Sequence, residues 1–467
     1  MKPTFFVSLI GKFVATVSRL RGGHGSALPG LVVEKIDPHF LAKILATLPR
    51  GVAVVSGTNG KTTTVKMVAE LLRASGLRVF TNDSGSNFTR GVASAAIQKM
   101  RRGKLNFDIA VLELDEAHAV RFVREVAPNF ALLLNVLRDQ LDRFGEIDTT
   151  AKMLGEIAKT AAQKLILNAD DPRVAKLFGN ARVPVSWFGF APNLRELFPT
   201  DEQLHDENLT RKIAKKSNEK NVNDACDFAK NFEQKIAKNN LIQLVNFANN
   251  IATYEIDGQK FAVEMAAGGA HNALNGAAAL ALARAILGEK FDAETSVARL
   301  AQINPAFGRG ETFYISSGEN STEKIAKKSA KIREKNAEKT LKNFRKIHLN
   351  LVKNPAGFRL VLNSADAKLP TLVAINDAFA DGRDVSWLWD VDFAKLREND
   401  VVFASGVRAF DMALRLEYDG VKVCEIEQNL RASLAKFLSQ NDNEFQIFAT
   451  YTAMLEIRKI LKKAAKK

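Results

Sequence analysis

Between residues 51 and 189, short apolar runs alternate with stretches that carry apolar residues at helical spacing. In the first such stretch, Thr62–Ala74, the apolar positions fall on one helical face, and Gly76 follows as a stop signal. Apolar runs separated by helices are typical of a parallel sheet with both faces covered. The predicted strands are Gly51–Val55, Val79–Thr81, Ile109–Leu114, Phe130–Val136 and Leu165–Asn168.

A second α/β pattern begins at about Ile347 and ends in a predicted helix, Thr452–Lys463. Its candidate strands are Thr371–Ile375 and Val401–Ala404. Helical spacing also resumes after Ala270, between two polar stretches. The predicted division is N-terminal helices packed on the next domain (1–50), a central α/β domain with a polar insert at about 193–250 (51–315), a basic insert or linker (316–346) and a C-terminal, Rossmann-like α/β domain (347–467).

The net charge of the chain is high, but most of it lies in two short segments. The 467 residues carry a net charge of +15, which is typical of proteins that bind nucleic acid or anionic membranes. However, Gly318–Lys346 carries +6 and Arg458–Lys467 another +6, so these two segments hold +12 of the total. We therefore expect no nucleic-acid partner, and a basic scaffold that binds RNA or membranes stays the alternative from another functional class.

The N-terminal segment has the pattern of an amphipathic helix, with its basic residues on the side opposite the apolar ones. We expect this helix to pack on its own domain, with contact to a membrane surface as the alternative. The chain contains no run of about 20 apolar residues and no convincing signal peptide. The residues of the pattern are Phe5, Phe6, Ile10, Phe13 and Val14, and the basic residues are Lys12, Arg19 and Arg21.

The strongest local motif is VVSGTNGKTTT, Val54–Thr64, which a predicted strand enters and a predicted helix leaves. Its glycines let backbone N–H groups face an anion at the positive end of the helix. The lysine would reach phosphate oxygens and the first threonine would bind Mg²⁺. Val55 replaces the first glycine of the longer phosphate-loop pattern, so this is a short P-loop. The candidate nucleotide-binding residues are Gly57, Thr58, Asn59, Gly60, Lys61, Thr62 and Thr63.

Glu113 ends a predicted strand, at the edge where open α/β sheets bind ligands, and is the candidate second Mg²⁺ ligand beside Thr62. Asp115 and Glu116 could instead be solvated or form ion pairs, and we expect His118 to be structural. Another charged segment, Asn135–Glu146, follows a predicted strand. Its charges could form a buried salt-bridge network, order the site, or do both.

At this point the sequence resembles the Mur ligase superfamily. The resemblance rests on GTNGKTTT, LNADDP at 167–172, HNALN at 271–275 and FGRGE at 307–311. It implies a ligase that uses ATP and Mg²⁺ to phosphorylate a carboxylate, which an amine then attacks. It also implies that Asn272 and Asn275 lie near the nucleotide and that Arg309 contacts phosphate. An amino-acid-adding Mur ligase and a folylpolyglutamate synthase-like enzyme are the alternatives within this class.

The segments DGRDVSW at 381–387 and SGVRAFDMALRLEYDG at 405–420 are similar to the MurT family within that superfamily. This resemblance implies amidation of the D-glutamate α-carboxyl in the lipid II stem peptide. The ammonia would come from a partner, a GatD-like glutaminase subunit. The family role of proton acceptor falls on Asp384, although Asp384 could cap a helix. Asp377, Asp381 or Asp390 could also be the working acid.

Two cysteines, Cys226 and Cys424, separate this chain from relatives that carry a four-cysteine zinc ribbon. One cysteine in the matching region cannot make that site, so we expect no structural zinc. The low cysteine content excludes a disulfide scaffold and fits a reducing compartment. We therefore expect a cytoplasmic protein, with peripheral contact to the inner face of the cell membrane as a further expectation.

Overall fold

The computed structural model of the chain describes eight ranges, which form two compact units; the first ends at Asn304 and the second begins at Arg309. Most of the predicted polar insert, nearly all of the basic insert and Cys226 lie outside the described residues. The charged segment after Leu137 also lies outside them. The described ranges are 3–20, 28–82, 88–137, 147–198, 240–266, 268–304, 309–316 and 344–465.

Nine strands form the sheet of the first unit. They are β1 (Val52–Ser56), β2 (Val79–Phe80), β3 (Ile109–Glu113), β4 (Phe130–Leu133), β5 (Lys164–Asn168), β6 (Val185–Phe190), β7 (Leu241–Ala248), β8 (Ile251–Ile256) and β9 (Gln259–Glu264). Their order is β2-β3-β1-β4-β5-β6-β7-β8-β9. Neighbours run parallel from β2 to β7, and the pairs β7–β8 and β8–β9 are antiparallel. The prediction of an α/β fold with a mostly parallel sheet is confirmed.

Helices cover both faces of this sheet because alternate residues of a strand point to opposite sides. Val52 and Val54 of β1 belong to one apolar core, and Ala53 and Val55 belong to the other. No helix in the described ranges is long and apolar enough to cross a membrane. The helices of this unit are α1 (Pro3–Leu20), α2 (Leu28–Ile36), α3 (Phe40–Leu45), α4 (Lys61–Ala74), α5 (Thr89–Lys99), α6 (Glu116–Glu125), α7 (Ile147–Ala158), α8 (Pro172–Lys176), α9 (Ala270–Leu287) and α10 (Ala293–Leu300).

Helix α9 is buried on nearly all sides, and its many alanines let it lie close to α4 and to β6 and β7. Its first turn is fixed by Tyr254, whose buried hydroxyl donates a hydrogen bond of 2.8 Å to the carbonyl oxygen of Ala273. A β-carbon at Gly276 would lie 2.4 Å from the same hydroxyl oxygen, so this approach requires glycine. The packing fixes the polar residues at the start of α9.

The second unit contains a six-stranded sheet in the order β10-β11-β15-β12-β13-β14. The strands are β10 (Arg309–Ser316), β11 (Phe344–Leu351), β12 (Thr371–Ala374), β13 (Val402–Ser405), β14 (Glu425–Glu427) and β15 (Glu444–Ala449). All neighbours are parallel except β10 and β11. The helices are α11 (Pro355–Ser364), α12 (Ala409–Tyr418), α13 (Leu430–Leu438) and α14 (Tyr451–Ala464). Two apolar cores include residues of these strands, as the Rossmann-like prediction requires.

Two details differ from the sequence prediction. Strand β10 pairs with β11, so residues 309–315 belong to the second sheet although the sequence placed them in the central domain. Strand β7 lies at 241–248, inside the predicted polar insert. There Ile242 and Leu244 are buried between less buried neighbours, a period of two that the high polar content of the insert masks.

Candidate active site

The loop between β1 and α4 has the backbone of a phosphate-binding turn. Gly57 and Gly60 have φ angles of +133° and +88°, in the left-handed region that favours glycine. Gly60 directly precedes α4 and accepts the backbone hydrogen bond of Thr64 at 2.9 Å. The 14-residue helix α4 therefore begins at Lys61 with its positive end at the loop.

Asn135, just beyond β4, fixes this loop from the neighbouring strand. Its Oδ1 accepts from the Asn59 N–H at 2.8 Å, and its Nδ2 donates to the Asn59 carbonyl at 3.0 Å. The backbone N–H of Thr58 donates to the Asn135 carbonyl at 3.0 Å. The sequence analysis did not identify Asn135 as a site residue. The available signal was an amide residue at the carboxyl end of a buried strand.

Lys61 is buried beside Glu116, the first residue of α6. Its Nζ lies 3.5 Å from Glu116 Oε2, donates to the Thr58 carbonyl at 3.3 Å and also donates to the Gly57 carbonyl. The alternative that Glu116 is solvated is wrong, because its side chain is buried. The loop thus holds the ammonium group among oxygens that phosphate oxygens can replace.

Thr62 and Glu113 come together as the sequence predicts. The Thr62 hydroxyl donates to Glu113 Oε1 at 2.8 Å. Asn82 fixes Glu113 through its backbone, with Nδ2 donating to the Glu113 carbonyl at 2.8 Å and Oδ1 accepting the Glu113 N–H at 2.9 Å. A hydroxyl and a carboxylate oxygen are hard ligands that suit Mg²⁺, which usually keeps its remaining places for phosphate oxygens and water. The donor set therefore fits Mg²⁺ with a nucleotide.

Asn272 and Asn275 are both buried at the start of α9. Asn272 Nδ2 donates to the Gly268 carbonyl at 2.7 Å. Asn275 faces the phosphate loop, since a β-carbon on Gly60 would lie 2.3 Å from its Oδ1. The structure thus brings Asn275 to the loop.

We expect Gly60→Ala to weaken nucleotide binding at least tenfold, because the added methyl group meets Asn275 and an L-residue is strained at this φ angle. Gly76→Ala is the matched control. Gly76 has a similar φ angle of +85°, but a β-carbon there meets nothing within 4 Å. Calorimetric titration with ATP measures both effects. Equal affinity in the two variants would contradict a close contact at Gly60.

The LNADDP motif ties the ends of three neighbouring strands together. Asp171 Oδ1 accepts two backbone N–H groups at the start of α8, and its Oδ2 accepts the Val136 N–H at 2.7 Å. Asp170 Oδ2 accepts the Phe190 N–H at 2.7 Å. Burial raises the pKa of Asp170 to about 6. Both aspartates therefore have a structural role, since they connect neighbouring strands at this edge of the sheet.

We expect Asp170→Asn to stabilise the protein above pH 6 by about 1–3 kcal/mol. Because burial raises the pKa of Asp170 in the folded state, the neutral carboxyl is compatible with its buried site and the ionised carboxylate is not. The native protein therefore has its full stability below about pH 4 and loses part of it as the pH rises through about 6. Urea unfolding across this range measures the difference, which should vanish at low pH. Asp292→Asn is the control. Hydrogen bonds from Thr295 lower the Asp292 pKa, so the loss of this carboxylate should destabilise the protein at neutral pH, the opposite of the effect at Asp170. A gain independent of pH would contradict this account.

Asp384 lies in the second unit, between β12 and β13. Its Oδ1 accepts the Ser386 N–H at 2.8 Å, where a short 3₁₀ helix, Ser386–Asp390, begins. This is an Asx turn, which partly agrees with the capping alternative. Its Oδ2 makes no hydrogen bond to the part of the chain that the structure describes.

The alternative acids in this region have structural partners. Asp381 is buried, and its oxygens accept from the Thr452 N–H at 2.7 Å and the Thr452 hydroxyl at 2.6 Å, at the start of α14. Asp377 pairs with Arg408 at 2.9 Å. Asp390 is half-buried at the end of the 3₁₀ helix. Asp384 therefore differs from Asp377 and Asp381, because its Oδ2 is not held by a hydrogen bond or an ion pair with any described residue.

For Arg309 and His118, two other residues named in the sequence analysis, the structure gives fewer contacts. Arg309 opens β10 in the second unit, where its backbone pairs with Asn350, and its side chain lies outside the described atoms. His118 packs edge-on against Phe88, with 4.2 Å between the ring centroids. This contact supports the structural interpretation of His118.

Family models match both units. The Mur ligase middle domain matches residues 55–206, and the MurT ligase C-terminal domain matches residues 351–454. Among solved structures, MurF from Acinetobacter baumannii aligns with a TM-score of 0.60 at 16% identity, over 94% of this chain and 81% of that one. At this identity the likeness concerns the fold.

The curated relatives that match nearly the whole chain include two that are named lipid II isoglutaminyl synthase (glutamine-hydrolyzing) subunit MurT. The protein from Streptococcus pneumoniae is 32% identical over 95% of this chain and 94% of its own length. The protein from Staphylococcus aureus strain COL is 30% identical over 91% of each. Since the identity spans both units and the loop, the chain belongs to the MurT family of Mur ligases.

Proposed function

We propose that this protein is the synthetase subunit that amidates the D-glutamate α-carboxyl of the lipid II stem peptide, with ATP as phosphoryl donor and ammonia as nucleophile. The observation that carries the proposal is the match to MurT relatives over 91–95% of the chain, together with the match of the MurT C-terminal model to residues 351–454. This match favours amidation over amino-acid addition, because the C-terminal model is that of MurT.

The first half-reaction falls to the loop of the first unit. The loop N–H groups and Lys61 would hold the nucleotide phosphates, with Asn272, Asn275 and Arg309 as further contacts. Thr62 and Glu113 would hold Mg²⁺, which neutralises charge that develops on the phosphates. A substrate carboxylate oxygen then bonds to the γ-phosphorus, the bond to ADP breaks, and an acyl phosphate is left on the stem peptide.

The second half-reaction needs a proton acceptor. The nitrogen of ammonia attacks the acyl carbon, the bond to phosphate breaks, and the nitrogen gives up one proton to become a neutral amide. A positioned carboxylate can accept that proton or orient the ammonia. We assign this role to Asp384, since its Oδ1 is fixed by the Ser386 N–H while Oδ2 stays available.

The partner would be a GatD-like glutaminase, and an exposed apolar surface on the second unit suits it. Phe410, Leu414 and Tyr418 are exposed at four-residue spacing on α12. Trp389, also exposed, packs edge-on against Tyr418 with 5.4 Å between ring centroids. Trp389 belongs to the 3₁₀ helix Ser386–Asp390, whose first N–H is bound by Asp384, so the exposed surface begins within five residues of the proposed proton acceptor. Exposed aromatic side chains are the usual anchors of protein interfaces.

The test is an amidation assay with the purified chain. We expect lipid II, Mg²⁺, ATP and ammonium to give amidated lipid II by mass spectrometry, and glutamine to replace ammonium only when the glutaminase is added. D-glutamate or L-lysine in place of ammonium should not be incorporated. If nucleotide binds but ammonium gives no amide, or if an amino acid is added instead, the proposed function is wrong.

A further inference from the structure

The outward face of α1 carries an apolar stripe. Phe6, Leu9, Ile10 and Phe13 are 54%, 47%, 43% and 70% exposed. Their spacing of three and four residues places them on one side of the helix. Exposed apolar residues are ordinary when scattered, but a contiguous stripe of them marks an interaction surface.

The opposite face fixes this stripe in place. Val7 and Ala15 are buried. A β-carbon on Gly11 would lie about 3 Å from side-chain atoms of Val33 in α2 and Ile97 in α5, so α1 lies directly against these helices. Rotation of α1 to bury the stripe would therefore break the packing at Gly11.

A basic turn lies beside the start of α1. Arg101, Arg102 and Lys104 are exposed and make no ion pair with any residue that the structure describes. Reciprocal backbone hydrogen bonds of 2.9 and 3.0 Å between Arg101 and Lys104 close the turn. A β-carbon on Gly103, between these residues, would lie 3.1 Å from the Cα of Phe5. The turn thus touches α1 and holds three cations beside it.

We propose that α1 and the turn 101–104 form a surface that docks on an anionic phospholipid bilayer, with the apolar stripe entering the headgroup region. An apolar helical face with adjacent unpaired cations fits an anionic membrane. The inference goes beyond the proposed function, since none of these residues belongs to the candidate active site.

The test measures binding of the full chain to sedimented vesicles, without ATP. We expect binding to vesicles of phosphatidylglycerol and phosphatidylcholine, weaker binding to phosphatidylcholine alone, and loss of binding at high salt. Phe13→Ser should weaken partitioning by on the order of tenfold. Phe379→Ser is the matched control, because Phe379 is 76% exposed in the second unit and should leave vesicle binding unchanged. Equal loss in both variants would overturn the proposal.

The charges are tested in the same assay. Arg101→Gln/Arg102→Gln should reduce binding to the anionic vesicles, and Lys290→Gln/Lys422→Gln, which removes equal charge elsewhere, should not. If only the replacement of Lys462, Lys463, Lys466 and Lys467 by glutamine abolishes binding, the basic tail binds the membrane and the proposal is wrong. It is also wrong if Phe13→Ser only converts a dimer to a monomer in light scattering. Amidation of detergent-solubilised lipid II should survive Phe13→Ser, so failure of the proposed function is distinguishable.

Discussion

Lys61→Ala is expected to abolish ATP-dependent amidation, with a loss of about a thousandfold or more, because the loop loses its charge on the transferring phosphoryl group. The ammonium group of Lys61 is buried, donates to loop carbonyls and lies 3.5 Å from Glu116, so its removal takes a positive charge out of the loop. Steady-state amidation and ATP titration measure the effect. Arg73→Ala, which removes a cation from the last turn of the same helix, should keep activity.

The substitution also leaves Glu116 buried without its partner, which is expected to lower the free energy of unfolding by about 1–3 kcal/mol. A second variant separates stability from chemistry. Lys61→Ala/Glu116→Gln removes the unpaired charge and should recover thermal stability while it stays inactive. Recovery of amidation together with stability would mean that Lys61 acts on folding alone and would contradict its role at the phosphates.

Asp384→Asn is expected to lower amidation by about two to four orders of magnitude while ATP affinity persists. The amide Oδ1 can still accept the Ser386 N–H, so the Asx turn is preserved and only the proton acceptor is lost. Asp392→Asn is the matched control. Asp392 also accepts a backbone N–H two residues ahead, from Ala394 at 2.8 Å, and is exposed on the same segment.

ATP binding and ADP release distinguish a role of Asp384 in the chemical step from a role in the structure. The Asp384→Asn variant should bind ATP and still form acyl phosphate, detectable as ADP release in single-turnover experiments, and should fail only at amide formation. Full activity in this variant would reject the role of Asp384. Loss of ATP binding and thermal stability together would instead indicate that Asp384 is structural.

The periodicity of apolar residues was sufficient for the elements that carry the site. The buried runs predict β1 and β3, and the glycine pattern between β1 and α4 predicts the loop. Glu113 follows from a general property of parallel sheets, since carboxyl ends of neighbouring strands meet at one edge. The 2.8 Å hydrogen bond from Thr62 confirms that these two residues lie together.

The residues that were missed are those whose partners depend on strand order. Asn135 reaches Asn59 only because β4 lies beside β1, and Asn82 reaches Glu113 only because β2 lies beside β3. No local pattern encodes that order. For Glu116 the sequence left an ion pair open, and the structure supplies its partner, Lys61, through the β1–β3 pairing.

The pairing of Lys61 with Glu116 has a consequence for the order in which the nucleotide and Mg²⁺ bind. Glu116 lies 3.5 Å from the Lys61 ammonium and Glu113 accepts from the Thr62 hydroxyl, so two buried carboxylates stand beside a single ammonium and give this site a net negative charge. A bare nucleotide polyanion is repelled by such a pocket, whereas its magnesium complex is not. Nucleotide and metal should therefore enter together. ATP affinity should fall sharply in EDTA, and Glu116→Gln should restore part of it; equal affinity with and without Mg²⁺ would contradict obligatory co-entry.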